Sequence, residues 1–216
     1  MDKMSMEERI AQEHARSEKK YHELNKVAQK GQTVMVGSSL MEWFPINELM
    51  MSKGVPGVVY NRGLGGYTTD DLLKCLDVVV FELEPSRIFI NIGTNDIGMP
   101  GDDLGHLIEN YRNILTQIQN RLPLCEINVL AYYPVADMEL PGPMPGGRKP
   151  RILEAVQEAN RRVQALAEEQ GLRYIDVNAG ISDERGYMRP EFAADPIHMW
   201  PSAYVHVLDA LIPYLK

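Results

Sequence analysis

Apolar and polar positions along this chain change period several times. Residues 33–36 (TVMV), 58–61 (VVYN), 87–92 (RIFINI), 126–131 (EINVLA) and 173–177 (RYIDV) are short runs rich in β-branched and apolar residues, and they predict strands. Between them the apolar spacing turns helical, at about 40–52, 69–83, 103–121 and 150–170, with a last segment at about 201–215. Gly31, Gly54, Pro85, Pro123 and Gly171 punctuate the joins. Strands that alternate with helices, and are apolar enough to be buried on both sides, predict a parallel sheet with a helical layer on each face. The expected fold is therefore α/β, a three-layer α/β/α sandwich around a five-stranded parallel sheet. Residues 4–29 add a charged helix whose apolar points are Ile10, Tyr21, Leu24 and Val27. The expected division is an N-terminal helical extension over 1–31 and one domain over 32–216. The extension either packs on the outside of that domain or meets a partner chain, as in a homodimer.

Composition narrows the function. A chain of 216 residues can bury one sizeable core. A formal net charge of −8 argues against nucleic acid and anionic lipid as partners. No apolar run is long enough to insert across a bilayer. The opening MDKMSMEERIAQEHARSEKK is charged throughout and lacks the apolar stretch of a signal peptide. The two cysteines, Cys75 and Cys125, lie in apolar-rich segments and read as buried free thiols, so a cytoplasmic location is expected. No His, Cys, Asp and Glu spacing suits a metal, and no cofactor is implied.

All strands of a parallel sheet point one way, so the loops after them share one edge, where ligands bind. After the first strand comes Gly37-Ser38-Ser39; after the second, NRGLGGYTTDD at 61–71; after the third, GTND at 93–96; after the fifth and a polar excursion, DPIH at 195–198. Each has a plain structural reading. The serines can cap a helix, the glycines can serve a turn, and Asp195 can cap the last helix. Together they also supply the parts of an acyl-transfer site. Ser39 offers a hydroxyl, His198 can take its proton, and Asp195, three residues earlier, can reach the other imidazole nitrogen. Gly66 and Asn95, with the N–H of Ser39, can donate to an oxyanion.

These four blocks resemble those of the SGNH hydrolases, the GDSL-like esterase/lipase superfamily, and within it the branch of the platelet-activating-factor acetylhydrolases. The first family block, usually Gly-Asp-Ser, corresponds to Gly37-Ser38-Ser39 and implies Ser39 as nucleophile. Asn61 to Gly66 corresponds to Asn-x-Gly-x-Gly-Gly and implies Gly66 in the oxyanion hole. Gly93-Thr94-Asn95 corresponds to Gly-x-Asn and implies Asn95 as a second donor. Asp195 to His198 corresponds to Asp-x-x-His and implies the relay pair. The resemblance spans about 32–215 and implies a flavodoxin-like fold; the Gly-x-Ser-x-Gly elbow of α/β-hydrolases is absent, since Met41 stands two after Ser39. Ser38 departs from the usual Asp and makes a second candidate hydroxyl. Pro196, Met199 and Trp200 depart around the histidine and are expected to reshape the pocket wall.

The resulting expectation is a serine esterase for small ester or acetyl groups, acting through an acyl-enzyme without a cofactor. Alternatives are a non-catalytic binding module on the same fold, a thioesterase or a lysophospholipase. A phosphate loop at the first strand would want Gly-x-x-x-x-Gly-Lys-Ser/Thr, which 37–42 lacks. DLGH at 103–106 is a second Asp-x-x-His, also read as a helix start capped by Asp102 or Asp103. His14, His22 and His206 read as surface or packing residues of helices. The proline-rich 140–150 stretch reads as a connector or as a loop bordering the site, where it would favour short acyl groups.

Overall fold

The computed structural model describes residues 5–99, 104–138 and 152–215. The strands are β1 (Thr33–Gly37), β2 (Val59–Gly63), β3 (Arg87–Asn91), β4 (Glu126–Leu130) and β5 (Arg173–Ile175). They form one sheet in the order β2-β1-β3-β4-β5, every neighbouring pair parallel. The helices are α1 (Met6–Asn25), α2 (Ser39–Glu42), α3 (Ile46–Lys53), α4 (Thr69–Val79), α5 (Gly105–Arg121), α6 (Leu153–Glu169) and α7 (Pro201–Leu211).

Side chains of a strand alternate between faces, and here the alternation sorts them into two cores. Val34, Val36, Ile88, Ile90, Ile127 and Val129 pack beneath α4, α5 and α6. Met35, Phe89 and Leu130 point the other way, under α2, α3 and α7. This is the predicted three-layer sandwich. Its strand order carries a consequence for function. The chain leaves β1 toward one face and β3 toward the other, so a crevice opens between their C-terminal ends, where open α/β sheets bind ligands.

The structure moves several boundaries, each for a local reason. The expected helix at 40–52 is two helices, α2 and α3, because Pro45 disfavours helical backbone at Phe44 and lacks the N–H an unbroken helix needs. The segments at 69–83 and 201–215 each end in a separate 3₁₀ turn, Phe81–Leu83 and Ile212–Tyr214, the second around Pro213. β2 runs two residues past the apolar pattern because buried Arg62 satisfies its charge locally. Its Nε and Nη2 donate to Asn25 Oδ1 at 3.1 and 2.8 Å, and its Nη1 donates to the Asn61 carbonyl at 3.1 Å.

α1 lies along α4 and the end of β2. Of its four expected apolar points only Tyr21 is buried; Ile10, Leu24 and Val27 are exposed. Polar contacts hold it instead. Asn25 donates to the Val78 carbonyl at 2.6 Å and to Glu82 at 2.8 Å, and His22 sits 2.7 Å from Glu82. Both cysteines are free thiols, Cys75 buried but Cys125 only half-buried, and burial pushes each up to about 12. Among the described residues no helix is long and apolar enough to cross a membrane.

Candidate active site

β1 ends by delivering two serines with opposite orientations. Ser38 is fully buried, its hydroxyl 3.2 Å from that of Thr94 in the loop after β3. Its side chain makes no cap for α2; its carbonyl does that work, accepting the N–H of Met41 at 3.0 Å and of Glu42 at 2.9 Å. Ser39, the first residue of α2, faces out. Its Oγ lies 2.9 Å from His198 Nε2. Adjacent side chains diverge as the strand turns into the helix, and here the inward position goes to Ser38.

His198 comes from the long connection between β5 and α7. The chain folds back there, with Ala193 bridging Met199 and the Ala194 N–H donating to the His198 carbonyl at 2.9 Å. Asp195 organises the turn. Its Oδ1 accepts the backbone N–H of Ile197 and of His198, both at 2.7 Å, and its Oδ2 lies 2.7 Å from His198 Nδ1. Partial burial works against the Asp195 charge. The two N–H donors and the imidazole outweigh it, so the carboxyl sits below its ordinary value. Trp43 stacks on the His198 ring, centroids 4.5 Å apart and planes inclined by 25°. The Tyr204 hydroxyl donates to the Leu40 carbonyl at 2.6 Å, tying α7 to α2 and so the histidine's support to the serine's.

The loop after β2 closes the other side. Gly65 stands against the nucleophile candidate: a methyl group there would lie 4.0 Å from Ser39 Cβ and 2.7 Å from the Glu42 carboxylate. Gly66 has φ +77°, a conformation glycine adopts without strain. Among the described residues, no group accepts its N–H. Asn61 anchors the loop's base, donating to the Met41 and Phe44 carbonyls at 2.7 and 3.0 Å and accepting the Gly63 N–H at 2.9 Å. Asn95, buried after β3, donates Nδ2 to the Tyr67 carbonyl at 2.9 Å. Ser39, Gly66, Asn95, Asp195 and His198 thus come from four separate loops to one sheet edge.

Asp96 follows Asn95 and is buried against Thr69, whose N–H lies 3.1 Å from both carboxylate oxygens and whose hydroxyl donates at 2.5 Å. Burial pushes its carboxyl up to about 6, with the Thr69 donors opposing. A raised folded-state value means the protonated form stabilises the fold. That contribution is full below the ordinary 3.8 and disappears as pH rises through about 6. The Tm of the protein minus that of Asp96→Asn is therefore expected to fall between pH 4 and pH 7, by the equivalent of up to about 3 kcal/mol. A pH-independent difference in thermal melts would show that Asp96 keeps its charge on folding without penalty.

His106 of the DLGH stretch lies elsewhere, on α5. Its Nε2 is 2.8 Å from Asp70, and Asn110 bonds to both. Asp102 and Asp103 lie outside the described residues, as does the 140–150 stretch; the described start of α5 has no side-chain cap at Leu104. Met199 does not form a pocket wall: it is buried in the core with Tyr204. Trp200 is exposed at the start of α7, and the surface against His198 is Trp43. The sequence reading missed Trp43, although it stands four residues after Ser39 and so one helical turn along the same side. It also missed Tyr67, on which His14, expected as a surface or packing residue, packs with ring centroids 4.1 Å apart beside Gly66.

Comparisons with known proteins agree with this architecture. A protein of Streptococcus pneumonia named for platelet activating factor has 28% identity and a TM-score of 0.85, over 98% of this chain and 96% of its own. A GDSL-like lipase from Bacteroides thetaiotaomicron has 19% identity and a TM-score of 0.72, over 92% and 98%. An acetylxylan esterase from Geobacillus stearothermophilus has 17% identity and a TM-score of 0.65, over 88% and 96%. No curated protein matches the chain. Residues 43–205 match the GDSL-like Lipase/Acylhydrolase family, a segment that starts four residues past Ser39 and includes Gly66, Asn95, Asp195 and His198. With three quarters of its length in that match, the chain belongs to the GDSL-like lipase/acylhydrolase family, the SGNH hydrolases to which its four blocks point.

Proposed function

We propose that the protein is a serine esterase that cleaves small carboxylic esters or acetyl groups through an acyl-enzyme on Ser39. The observation that carries this is the unbroken hydrogen-bond relay from Ser39 Oγ through His198 to Asp195, 2.9 and 2.7 Å long. Asp195, held ionised by its N–H donors, accepts a hydrogen bond from the Nδ1–H of His198, which fixes the proton on Nδ1 and leaves the Nε2 lone pair facing Ser39. Ser39 Oγ attacks the ester carbonyl as Nε2 takes its proton. The carbonyl oxygen becomes an oxyanion, received by the N–H groups of Ser39 and Gly66 and by the Asn95 amide. The C–O bond to the alcohol then breaks, and His198 returns the proton to the leaving oxygen. Water, deprotonated by the same imidazole, cleaves the acyl-enzyme and restores Ser39.

The floor beneath Ser39 supports a small acyl group. Ser38, the residue before Ser39, has no exposed surface and its hydroxyl meets that of buried Thr94, so the inner side of the nucleophile is closed to a long chain. The test combines a fluorophosphonate probe with p-nitrophenyl esters from acetate to palmitate, each below its critical micelle concentration. One mass adduct on Ser39 and a kcat/KM maximum between acetate and butyrate are expected. An adduct on Ser38, or no hydrolysis of any ester, sinks the proposal; rates climbing to the longest chain overturn its substrate range alone.

Asn95→Ala tests the oxyanion role. The amide is proposed to meet charge that exists only in the transition state, so kcat should fall roughly 10²–10³-fold with KM nearly unchanged. A rise in KM with kcat intact would make Asn95 a group that positions the ground-state substrate.

A further inference from the structure

The face that α1 turns toward the domain is polar where a covering helix would be apolar. His14, Glu18, Tyr21 and Asn25 recur at spacings of four, three and four, which places them on one side of the helix. Three of them converge on the glycine loop beside Ser39. The Tyr21 hydroxyl donates to the Gly63 carbonyl at 2.7 Å, where the loop begins. Glu18 accepts the Tyr67 hydroxyl at 2.6 Å, where it ends. The His14 ring packs on Tyr67, and its Nε2 lies 3.8 Å from where a Gly66 Cβ would stand. Tyr67 faces two ways: its phenol reaches out to α1, and its backbone carbonyl accepts the Asn95 amide from inside.

We infer that α1 is a working part of the active site, with Glu18, Tyr21 and Tyr67 as positioning residues that hold the 63–67 loop and, through the Tyr67 carbonyl, set the Asn95 amide. The inference rests on the esterase reading for its effect on rate. The physical need comes from the loop itself. Gly65 admits close approach to Ser39 and Gly66 takes a positive φ, and that glycine freedom leaves the Gly66 N–H poorly fixed unless something outside the loop holds it. Oxyanion donors work by being aimed before charge develops, so the hold belongs to catalysis as much as to folding. Burial in the core explains little of α1, since among its described side chains only Tyr21 enters it.

The experiment uses full-length Tyr67→Phe, Glu18→Ala, Glu18→Gln and Tyr21→Phe. Tyr67→Phe and Glu18→Ala should each lower kcat roughly tenfold with KM within about twofold, because a small misplacement of a donor acts on the transition state. Glu18→Gln, whose amide oxygen still accepts the phenol, should recover most of the loss. In an Asn95→Ala background the Tyr67→Phe effect should shrink to under about twofold, since its route to the oxyanion is gone. A readout independent of turnover accompanies these. The ¹H–¹⁵N signals of the Gly66 N–H and the Asn95 side-chain amide should shift in Tyr67→Phe while those of β4 stay in place. Unmoved Gly66 and Asn95 signals overturn the inference whether or not the protein hydrolyses esters. So does a Tyr67→Phe loss that persists in full without Asn95. If instead the signals shift but no ester is cleaved and Ser39→Ala changes nothing, the esterase reading is what has failed.

Discussion

Ser39→Ala is expected to lower kcat by roughly 10⁴–10⁶-fold while the fold stays intact. The argument is one of position. Ser39 is half-buried, its hydroxyl meets His198 Nε2, and removing that oxygen leaves no buried partner stranded. Ser38→Ala should give the opposite pattern. Its hydroxyl is sealed against Thr94, so the substitution orphans a buried hydroxyl and costs about 1 kcal/mol of stability with little change in rate. Thermal melts and ester kinetics on both variants separate the two serines. A dead Ser38→Ala beside an active Ser39→Ala would reverse the assignment and make the relay to His198 incidental. A residual rate in Ser39→Ala above the uncatalysed reaction is still expected, because donors and binding remain when the nucleophile is gone.

The layers of the fold were legible because strand and helix periods differ and because each strand of this sheet is buried on both faces. Val34 to Val36 and Ile88 to Ile90 are continuous apolar runs, which only a sheet covered twice requires. Boundaries were less legible where one residue overrules a pattern. Pro45 divides a segment whose apolar spacing runs on without interruption, and Arg62 continues a strand that its charge argues against. The positions facing the crevice could be read because parallel strands send all their loops to one edge, so order along the chain becomes proximity in space. What sequence order does not encode is which side chain of a pair points inward. The roles of Ser38 and Ser39 needed the turn from β1 into α2. Nor does it encode contacts between elements distant in the chain. Trp43 reaches His198 only because α2 and the 193–199 turn meet, held by Tyr204 on Leu40. α1 packs on the outside of the domain, one of its two expected positions, but its apolar points do not show which residues dock: those at 14, 18, 21 and 25 face the domain.

His198→Ala is expected to lower kcat by roughly 10⁵–10⁶-fold, close to the loss of the serine itself, because an unassisted hydroxyl has nowhere to send its proton. His106→Ala, which removes the partner of Asp70 on α5, should leave kcat within about twofold. The more telling variant is Asp195→Asn. Its Oδ1 can go on accepting the Ile197 and His198 N–H groups, so the turn that carries the histidine survives. The change falls on the other atom. An amide nitrogen at the Oδ2 position donates, and Nδ1 must then accept, which forces the imidazole proton onto Nε2. That proton faces Ser39 and blocks the base without displacing it. A loss of roughly 10⁴-fold with unchanged KM and an unchanged Tm is therefore expected, smaller than that of His198→Ala. The imidazole ¹⁵N shifts of His198 supply the direct check, reporting a protonated Nδ1 in the native protein and a protonated Nε2 in the variant. If Asp195→Asn keeps its rate and its Nδ1 proton, the carboxylate serves only the turn, and the tautomer is set by another group.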